Sequence, residues 1–213
     1  MLPVRSMIRA IAFDVMDTLL RDPFREALVA ATGRPLEELF AVRDASAYPA
    51  FERGELSETD YWSSYGRAGI EVDPAAFHRV RRAGTHWLPG MRQLVADLDG
   101  VVVRATASNY PHWIDELART HLDGDFEHIL ASCHLGVRKP ESGFFDRLLE
   151  RIGHRPDHVL FLDDRPSNVE AAASVGLRAH RFTDAPSARA WIAAQGVAVS
   201  AVEGGSDAGK AVD

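Results

Sequence analysis

The run IAFDVMDTLL sets two carboxylates, Asp14 and Asp17, three positions apart at the end of an apolar stretch, with Met16 between them. Downstream, Ser108 and Asn109 follow VVVRATA, Lys139 precedes a proline in GVRKPE, and Asp163 and Asp164 close HVLFL. A carboxylate fixed at a strand end can attack phosphorus and split one hydrolysis into two displacements through an aspartyl-phosphate. Adjacent acids such as Asp163 and Asp164 can hold a hard cation, and magnesium takes a few carboxylate or carbonyl oxygens with water completing its octahedron. A lysine such as Lys139 can hold nucleophile and phosphate oxygens together as a point charge. Ser108 and Asn109 can donate hydrogen bonds to the same oxygens. Taken singly, each has a plainer use: acids favour helix N-termini, Ser and Asn are turn residues, and lysines are mostly exposed.

The elements that must position these groups follow from the apolar pattern. Three short apolar runs, ending at Asp14, Ser108 and Asp163, are each followed by polar residues and a helix-like stretch. That pattern predicts a parallel sheet covered on both faces. Ligands in such sheets gather beyond the carboxyl ends of the strands, so Asp14, Ser108, Asp163 and Asp164 converge on one edge. Residues 21–84 read as helices: PFREALVAATG stops at Gly33, PLEELFAVR follows, and Ser57 with Asp60 offers a capping-box start for ETDYWSSYG. The expected organisation is a core over 8–20 and 85–199, a helical insertion over 21–84 as a candidate lid, and a disordered polar tail over 200–213. After GMRQLVADLDG and the second strand, helices are expected over 111–120, 141–152 and 167–175, the last with Gly176 in the C-cap position.

Composition narrows the classes of function. A chain of 213 residues with 46% hydrophobic residues can bury one substantial core. Its net charge of −7 opposes broad binding to nucleic acid or to an anionic membrane, while leaving room for a local basic site for a small anion. A single cysteine, Cys133, excludes an intramolecular disulfide framework and fits a reducing compartment. No segment reaches the length of a membrane span, and Asp14 and Asp17 interrupt the first apolar stretch too early for a signal-peptide core, so a cytoplasmic location is expected. There is no P-loop and no glycine-rich dinucleotide fingerprint, so any phosphate must be held by other means.

The order of the groups says more than any one of them. Asp14 with Thr18 four residues on, a strand then Ser108 and Asn109, then Lys139 before proline, then a strand with Asp163, Asp164 and Asn168, resembles the four motifs of the haloacid dehalogenase-like hydrolase superfamily. The resemblance spans roughly residues 11–182. It implies a Rossmann-like core, a helical cap inserted after the first motif, and magnesium-dependent hydrolysis of a small phosphate ester. Carried over by position, Asp14 is the nucleophile, and Ser108 and Lys139 position the phosphate with Asn109 and Thr18 beside them. Asp164, with neighbouring Asp163, ligates the metal together with Asp14 and the main-chain carbonyl of Met16. Within the superfamily, FDVMDTLLRDPF, FERGELSETD, SNYPHW, RKPE and FLDDRPSNVEAA are similar to flavin mononucleotide hydrolases, which makes that ester the first to expect.

Met16 departs from the family pattern, in which a second Asp serves there as acid for the leaving group and base for water. A thioether transfers no proton, and losing a positioned acid/base costs on the order of 10²–10⁴ in rate. Three accounts stay open: Asp17 reaches the leaving group, His86, His112 or Glu52 substitutes, or turnover is slow. Dehalogenases of the superfamily also lack that Asp, but their chemistry needs no metal and would leave Asp163 and Asp164 as uncompensated charges beside Asp14. Metal-independent dehalogenation and a catalytically weak binding protein are the alternatives.

Other residues have plainer readings. Tyr48, Phe51, Tyr61, Trp62 and Tyr65 could form an aromatic wall for a planar ring, although helical spacing of the last three points to packing. His78, Arg79, Arg81 and Arg82 could steer an anion, but such runs more commonly form a solvated helix face. Nine histidines without paired spacing argue against a zinc site, and nothing near Cys133 in sequence marks it as an activated thiol.

Overall fold

A computed structural model describes residues 7–199; the polar tail expected to be disordered lies outside them. Four parallel strands, β1 (Ala10–Phe13), β2 (Val103–Thr106), β3 (Val159–Asp163) and β4 (Arg178–Arg181), lie in the order β2-β1-β3-β4. The chain builds outward from β1 to β2 on one side, then crosses to β3 and β4 on the other. The reversal of direction therefore falls between β1 and β3, where an open α/β sheet leaves its ligand crevice. Phe13 is level with Thr106 and with Leu162, so Asp14 emerges beside Asp163.

The short strands are buried on both faces, which is why they read as continuous apolar runs. Ile11, Phe13, Leu160 and Leu162 point into one core, and Ala10, Ala12, Val159 and Phe161 into the other. The second core is closed by Phe144, Phe145 and Leu148 of α9 (Ser142–Ile152). Strand β4 was not expected from the apolar pattern. Its residues Arg-Ala-His-Arg are half-buried or exposed, and it is held by pairing along β3 at the sheet edge.

Residues 21–84 are helical as expected: α1 (Phe24–Thr32), α2 (Leu36–Val42), α3 (Ala47–Glu52), α4 (Glu58–Arg67) and α5 (Pro74–Gly84). Gly33 ends α1 with φ +65°, the left-handed conformation a helix C-terminus asks of glycine. Ser57 caps α4 by accepting from the Asp60 N–H at 3.1 Å, whereas the Asp60 carboxylate takes the Ser57 hydroxyl instead of its backbone, leaving the box half formed.

The chain re-enters the core through α6 (Met91–Asp97). The helix expected over 111–120 is shorter: a turn closed from Ile114 N–H to Pro111 carbonyl precedes α7 (Ile114–Leu117), which runs into a π turn at Ala118–Leu122. Short α8 (Ser132–Leu135) follows, and α10 (Pro166–Ser174) and α11 (Ala185–Ala194) complete the structure, with Gly176 at φ +93° just beyond α10.

The insertion docks on the core through an aromatic cluster. Trp113 lies 4.9 Å from Phe77 and 5.1 Å from Phe51, ring centre to ring centre, and its indole N–H donates to Glu58 at 3.0 Å. Tyr61, Trp62 and Tyr65 are buried in the same cluster, so their spacing reflects packing. The basic run on α5 is not a free solvated face. Arg81 is buried and, with Arg82, bonds Glu116 of α7, while His78 bonds Glu58. Ser132 of α8 adds a hydrogen bond to the Glu52 carbonyl at 2.6 Å.

Candidate active site

At the carboxyl ends of β1 and β3, Asp14 and Asp163 face a common cation. The Lys139 ammonium, fully buried, donates to Asp14 Oδ1 at 2.7 Å and to Asp163 Oδ2 at 2.6 Å. Its backbone is fixed by Asn109, whose side chain donates to the Lys139 carbonyl and accepts from the Lys139 N–H, both at 2.8 Å. Asn109 thus holds the lysine in place with one amide N–H and its oxygen, and it also lines the cleft. Thr18 donates to the other oxygen of Asp14 at 3.3 Å. Ser108 is also buried, and its hydroxyl has no partner among the described residues. A buried hydroxyl without a partner costs stability unless a ligand completes it.

The acidic pair divides its work. Asp163 is saturated: besides Lys139 it accepts from the Arg165 N–H at 2.9 Å and from the Asn168 amide at 3.0 Å on both oxygens. Asp164 is half-buried and anchored through its backbone, whose carbonyl accepts from Arg181 Nε at 3.2 Å, so its carboxylate stays available. Oxygens of Asp14, Asp163 and Asp164 lie within 4.8 Å of one another. The turn after β1 uses the carbonyls of Val15 and Leu20 for its hydrogen bonds, which leaves that of Met16 uncommitted. The carboxylates of Asp14 and Asp164, with the committed Asp163 beside them, and the Met16 carbonyl offer the all-oxygen donor set that suits magnesium.

Electrostatics agree with that fit. Burial pushes the Asp14 carboxyl up to about 7 despite Lys139, with Asp163 and Asp164 adding like-charge repulsion. Burial and then Asp163 also raise Asp164. For Lys139, burial favours the neutral amine, but Asp14 and Asp163 together outweigh it and raise its pKa. A divalent cation is the group that would relieve the remaining carboxylate repulsion.

The cleft above these groups, about 290 Å³, is lined by Asp14, Met16, Asn109 and Lys139 from the core and by Phe24, Tyr48 and Glu52 from the insertion. Of the aromatic wall, only Tyr48 reaches it among the residues singled out from the sequence; Phe24 packs beside it at 4.9 Å. Arg25, Arg43, Arg138 and Arg165 complete a basic rim; Arg138 lies within RKPE and Arg165 within FLDDRPSNVEAA, but neither was singled out from the sequence.

The candidate proton carriers separate sharply. Asp17 is exposed, sits at φ +59°, and spends its carboxylate on the Asp22 N–H at 3.0 Å, outside the cleft lining. His86 and His112 are exposed and do not line the cleft either. Glu52 does: it is 4% exposed, with Arg138 Nη2 standing 2.7 Å from Oε2 off the hydrogen-bonding direction. Burial pushes its carboxyl up to about 7 against the pull of Arg138. Cys133 is no nucleophile, since burial and then Asp115 push its thiol up to about 12.

A family model for haloacid dehalogenase-like hydrolases matches residues 8–176. The chain is 30% identical over 191 residues to flavin mononucleotide hydrolase 1, chloroplastic, of Arabidopsis thaliana, an alignment covering 88% of this chain and 78% of that protein. Among solved structures, a HAD-like family hydrolase from Porphyromonas gingivalis superposes with a TM-score of 0.72 at 22% identity, covering 89% of this chain and 96% of the other. A HAD family enzyme from Bacteroides thetaiotaomicron, in complex with magnesium and inorganic phosphate, gives a TM-score of 0.68 at 17% identity, covering 83% and 95%.

Proposed function

Because the chain belongs to the haloacid dehalogenase-like hydrolase family, we propose that it is a magnesium-dependent phosphatase acting on a small phosphomonoester through an aspartyl-phosphate on Asp14. The observation that carries this reading is the Lys139 ammonium bridging Asp14 and Asp163, beside a buried Ser108 hydroxyl that lacks a partner. Lys139 lines the cleft beside Asp14, and Ser108 lies just beyond β2, the strand paired with the one that presents Asp14. Asp14, Asp164 and the Met16 carbonyl would hold the cation, with Asp163 alongside chiefly positioning Lys139 and the loop. Bound there, magnesium neutralises charge on the transferring phosphoryl group.

The chain's own groups do the rest. Lys139 opposes the protonation that burial favours at Asp14 and orients it for attack, and Ser108 donates to a phosphoryl oxygen. The Met16 side chain lines the cleft but moves no proton; besides Asp14 the lining carboxyls are Asp22, which accepts from the Phe24 N–H and is pushed by burial up to about 6, and Glu52, the one we assign to protonate the leaving oxygen and then draw a proton from water. A carboxyl poised near 7 is suited to both tasks. Residues 21–84 act as the cap that brings Glu52 and Tyr48 to the core.

Flavin mononucleotide is the first substrate to test, supported by the similarity to the plant hydrolase and by the aromatic rings of Tyr48, Phe24 and Phe40 in the cleft lining. Metal-independent dehalogenation fits less well, since it leaves Asp163 and Asp164 as like charges beside the nucleophile. No described helix is long and apolar enough to cross a membrane. The single cysteine supports a reducing compartment such as the cytoplasm, though the plant relative is chloroplastic.

The test is phosphate release from flavin mononucleotide and from an aryl phosphate, with and without magnesium, for the wild type and Asp14→Asn. Magnesium-dependent release from both esters, lost in Asp14→Asn, is the expected result. Release from the aryl ester alone excludes flavin mononucleotide and an effective acid. No release from either leaves a binding protein or a dehalogenase.

A further inference from the structure

Away from the cleft, three segments distant in sequence meet at the surface where the insertion touches the core. His112 comes from the turn before α7, Cys133 and His134 from α8, and each brings a ligand atom within 4.8 Å of the other two. Asp115 of α7 lies among them, its carboxylate 3.0 Å from His134 Nε2 and 3.9 Å from His112 Nδ1. The neighbouring insertion residue is Gly54, at φ +74°; a Cβ there would stand 3.4 Å from His112 Nε2 and 3.0 Å from the Cys133 carbonyl. The absent side chain leaves His112 room to turn. A plainer account makes the histidines and carboxylate a surface hydrogen-bond network and the thiol a small packed hydrophobe. That account requires neither two imidazoles and a sulfur to point at one spot nor a carboxylate to sit beside both imidazoles.

We propose that His112, Cys133 and His134, with Asp115 as fourth donor, form a binding site for a zinc-class transition-metal ion, separate from the all-oxygen cluster at Asp14. Two imidazoles, a thiolate and a carboxylate are a donor set for a borderline-soft ion with four-coordinate geometry, and one that magnesium disfavours. Zinc-ligand bonds of about 2.0–2.3 Å require donor atoms roughly 3.5 Å apart, so the cluster must contract. The His112 side chain, 58% exposed, and that of His134, 30% exposed, are free to make that movement. On binding, the Cys133 thiol gives its proton to solvent and its sulfur pair to the metal, with no change of oxidation state. The histidine spacing that argued against a zinc site carries no trace of this cluster, whose two halves, His112 with Asp115 and Cys133 with His134, are brought together by the fold. The ion would sit beside the seam that Ser132 and the Glu52 carbonyl already bridge, and would tie the turn before α7 to α8.

The test is titration of the metal-stripped full chain with Co(II), then Zn(II), in excess magnesium. One equivalent of Co(II) is expected to give a near-ultraviolet thiolate-to-cobalt band with intense visible bands of tetrahedral geometry. Zinc should displace it, Asp14→Asn should leave it unchanged, and Cys133→Ser should abolish the thiolate band. His112→Ala, at an exposed position, should weaken zinc binding by at least the roughly 10–100-fold that a lost outer-shell partner costs. Should Cys133→Ser fail to fold, the His112→Ala affinity decides the matter alone. Absence of the thiolate band in the wild type, its persistence in Cys133→Ser, unchanged affinity in His112→Ala, or loss of the band in Asp14→Asn would each overturn the proposal.

Discussion

Replacing Lys139 by methionine removes one cation and leaves two buried carboxylates, Asp14 and Asp163, facing each other across the gap it spanned. Breaking a buried ion pair from one side costs about 3–5 kcal/mol, because the orphaned charge stays desolvated. The molecule can limit the damage by protonating one carboxyl. Relative to a reference carboxyl pKa of about 3.9, this costs ~1.4 kcal/mol per pH unit, hence ~4 kcal/mol at pH 7 but only ~1.5 kcal/mol at pH 5. For a chain of this size, 1 kcal/mol moves Tm by about 2–4 °C, so Lys139→Met should melt ~8–16 °C below the wild type at pH 7 and ~3–6 °C below it at pH 5. The sign follows from linkage. A carboxyl whose pKa is higher folded than unfolded keeps protons that the unfolded chain releases, so its folded state loses stability as pH rises through that pKa. Wild-type Asp14, already raised to about 7, contributes in the same direction, and the variant should add to that slope. Thermal unfolding in a chelator at the two pH values reads the effect. A deficit that is equal at both, or larger at pH 5, would refute the account of Lys139 as counter-ion to both acids.

Three further changes probe separate parts of the site and its support. Ser108→Ala removes a hydroxyl with no protein partner, so phosphate release should fall by about 10²–10³, the usual cost of one transition-state donor, while Tm stays level or rises; a clear drop in Tm would show that the hydroxyl supports the fold instead. Glu52→Gln should remove the pH limb near 7 and depress turnover by about 10²–10⁴ on an alkyl phosphate, with a smaller loss on an aryl one; equal losses on both esters would count against a proton-transfer role. Phe77→Ala hollows the aromatic cluster around Trp62 and Trp113 and should cost about 3–5 kcal/mol in urea unfolding; a cost below about 1 kcal/mol would mean that the insertion does not pack as described.

How much of this could be read from residues alone differs from element to element. Asp14, Ser108 and Asp163 were legible because each ends an apolar run, and burial on both sheet faces makes such runs conspicuous. Strand β4 was not, because an edge strand with two arginines and a histidine carries no apolar signature. The helices of the insertion were recognisable from caps such as Ser57 and Gly33, but their docking was hidden: Arg81 looked like surface charge and is instead buried against Glu116. The neighbours of a side chain decide such matters, and neighbours 35 positions away leave no periodic trace. Glu52 shows the same limit, being one of several loose candidates until the cleft lining separated it from Asp17, His86 and His112. Asn109 was expected to donate to a ligand; its grip on the backbone of Lys139, 30 positions away, carried no signal in the sequence.

The adjacency of β1 and β3 has a consequence for how such an enzyme can change. The interval between Asp14 and Asp163 is one interstrand step, about 4.8 Å, a length set by backbone hydrogen bonding and indifferent to side-chain identity. The sheet therefore serves as a ruler for the reacting centre. The insertion leaves and rejoins the chain outside that ruler, so Phe24, Tyr48 or Arg43 can be exchanged without altering the distance on which the chemistry depends. Selection can thus retune what enters the cleft while the calibration beneath it stays constant.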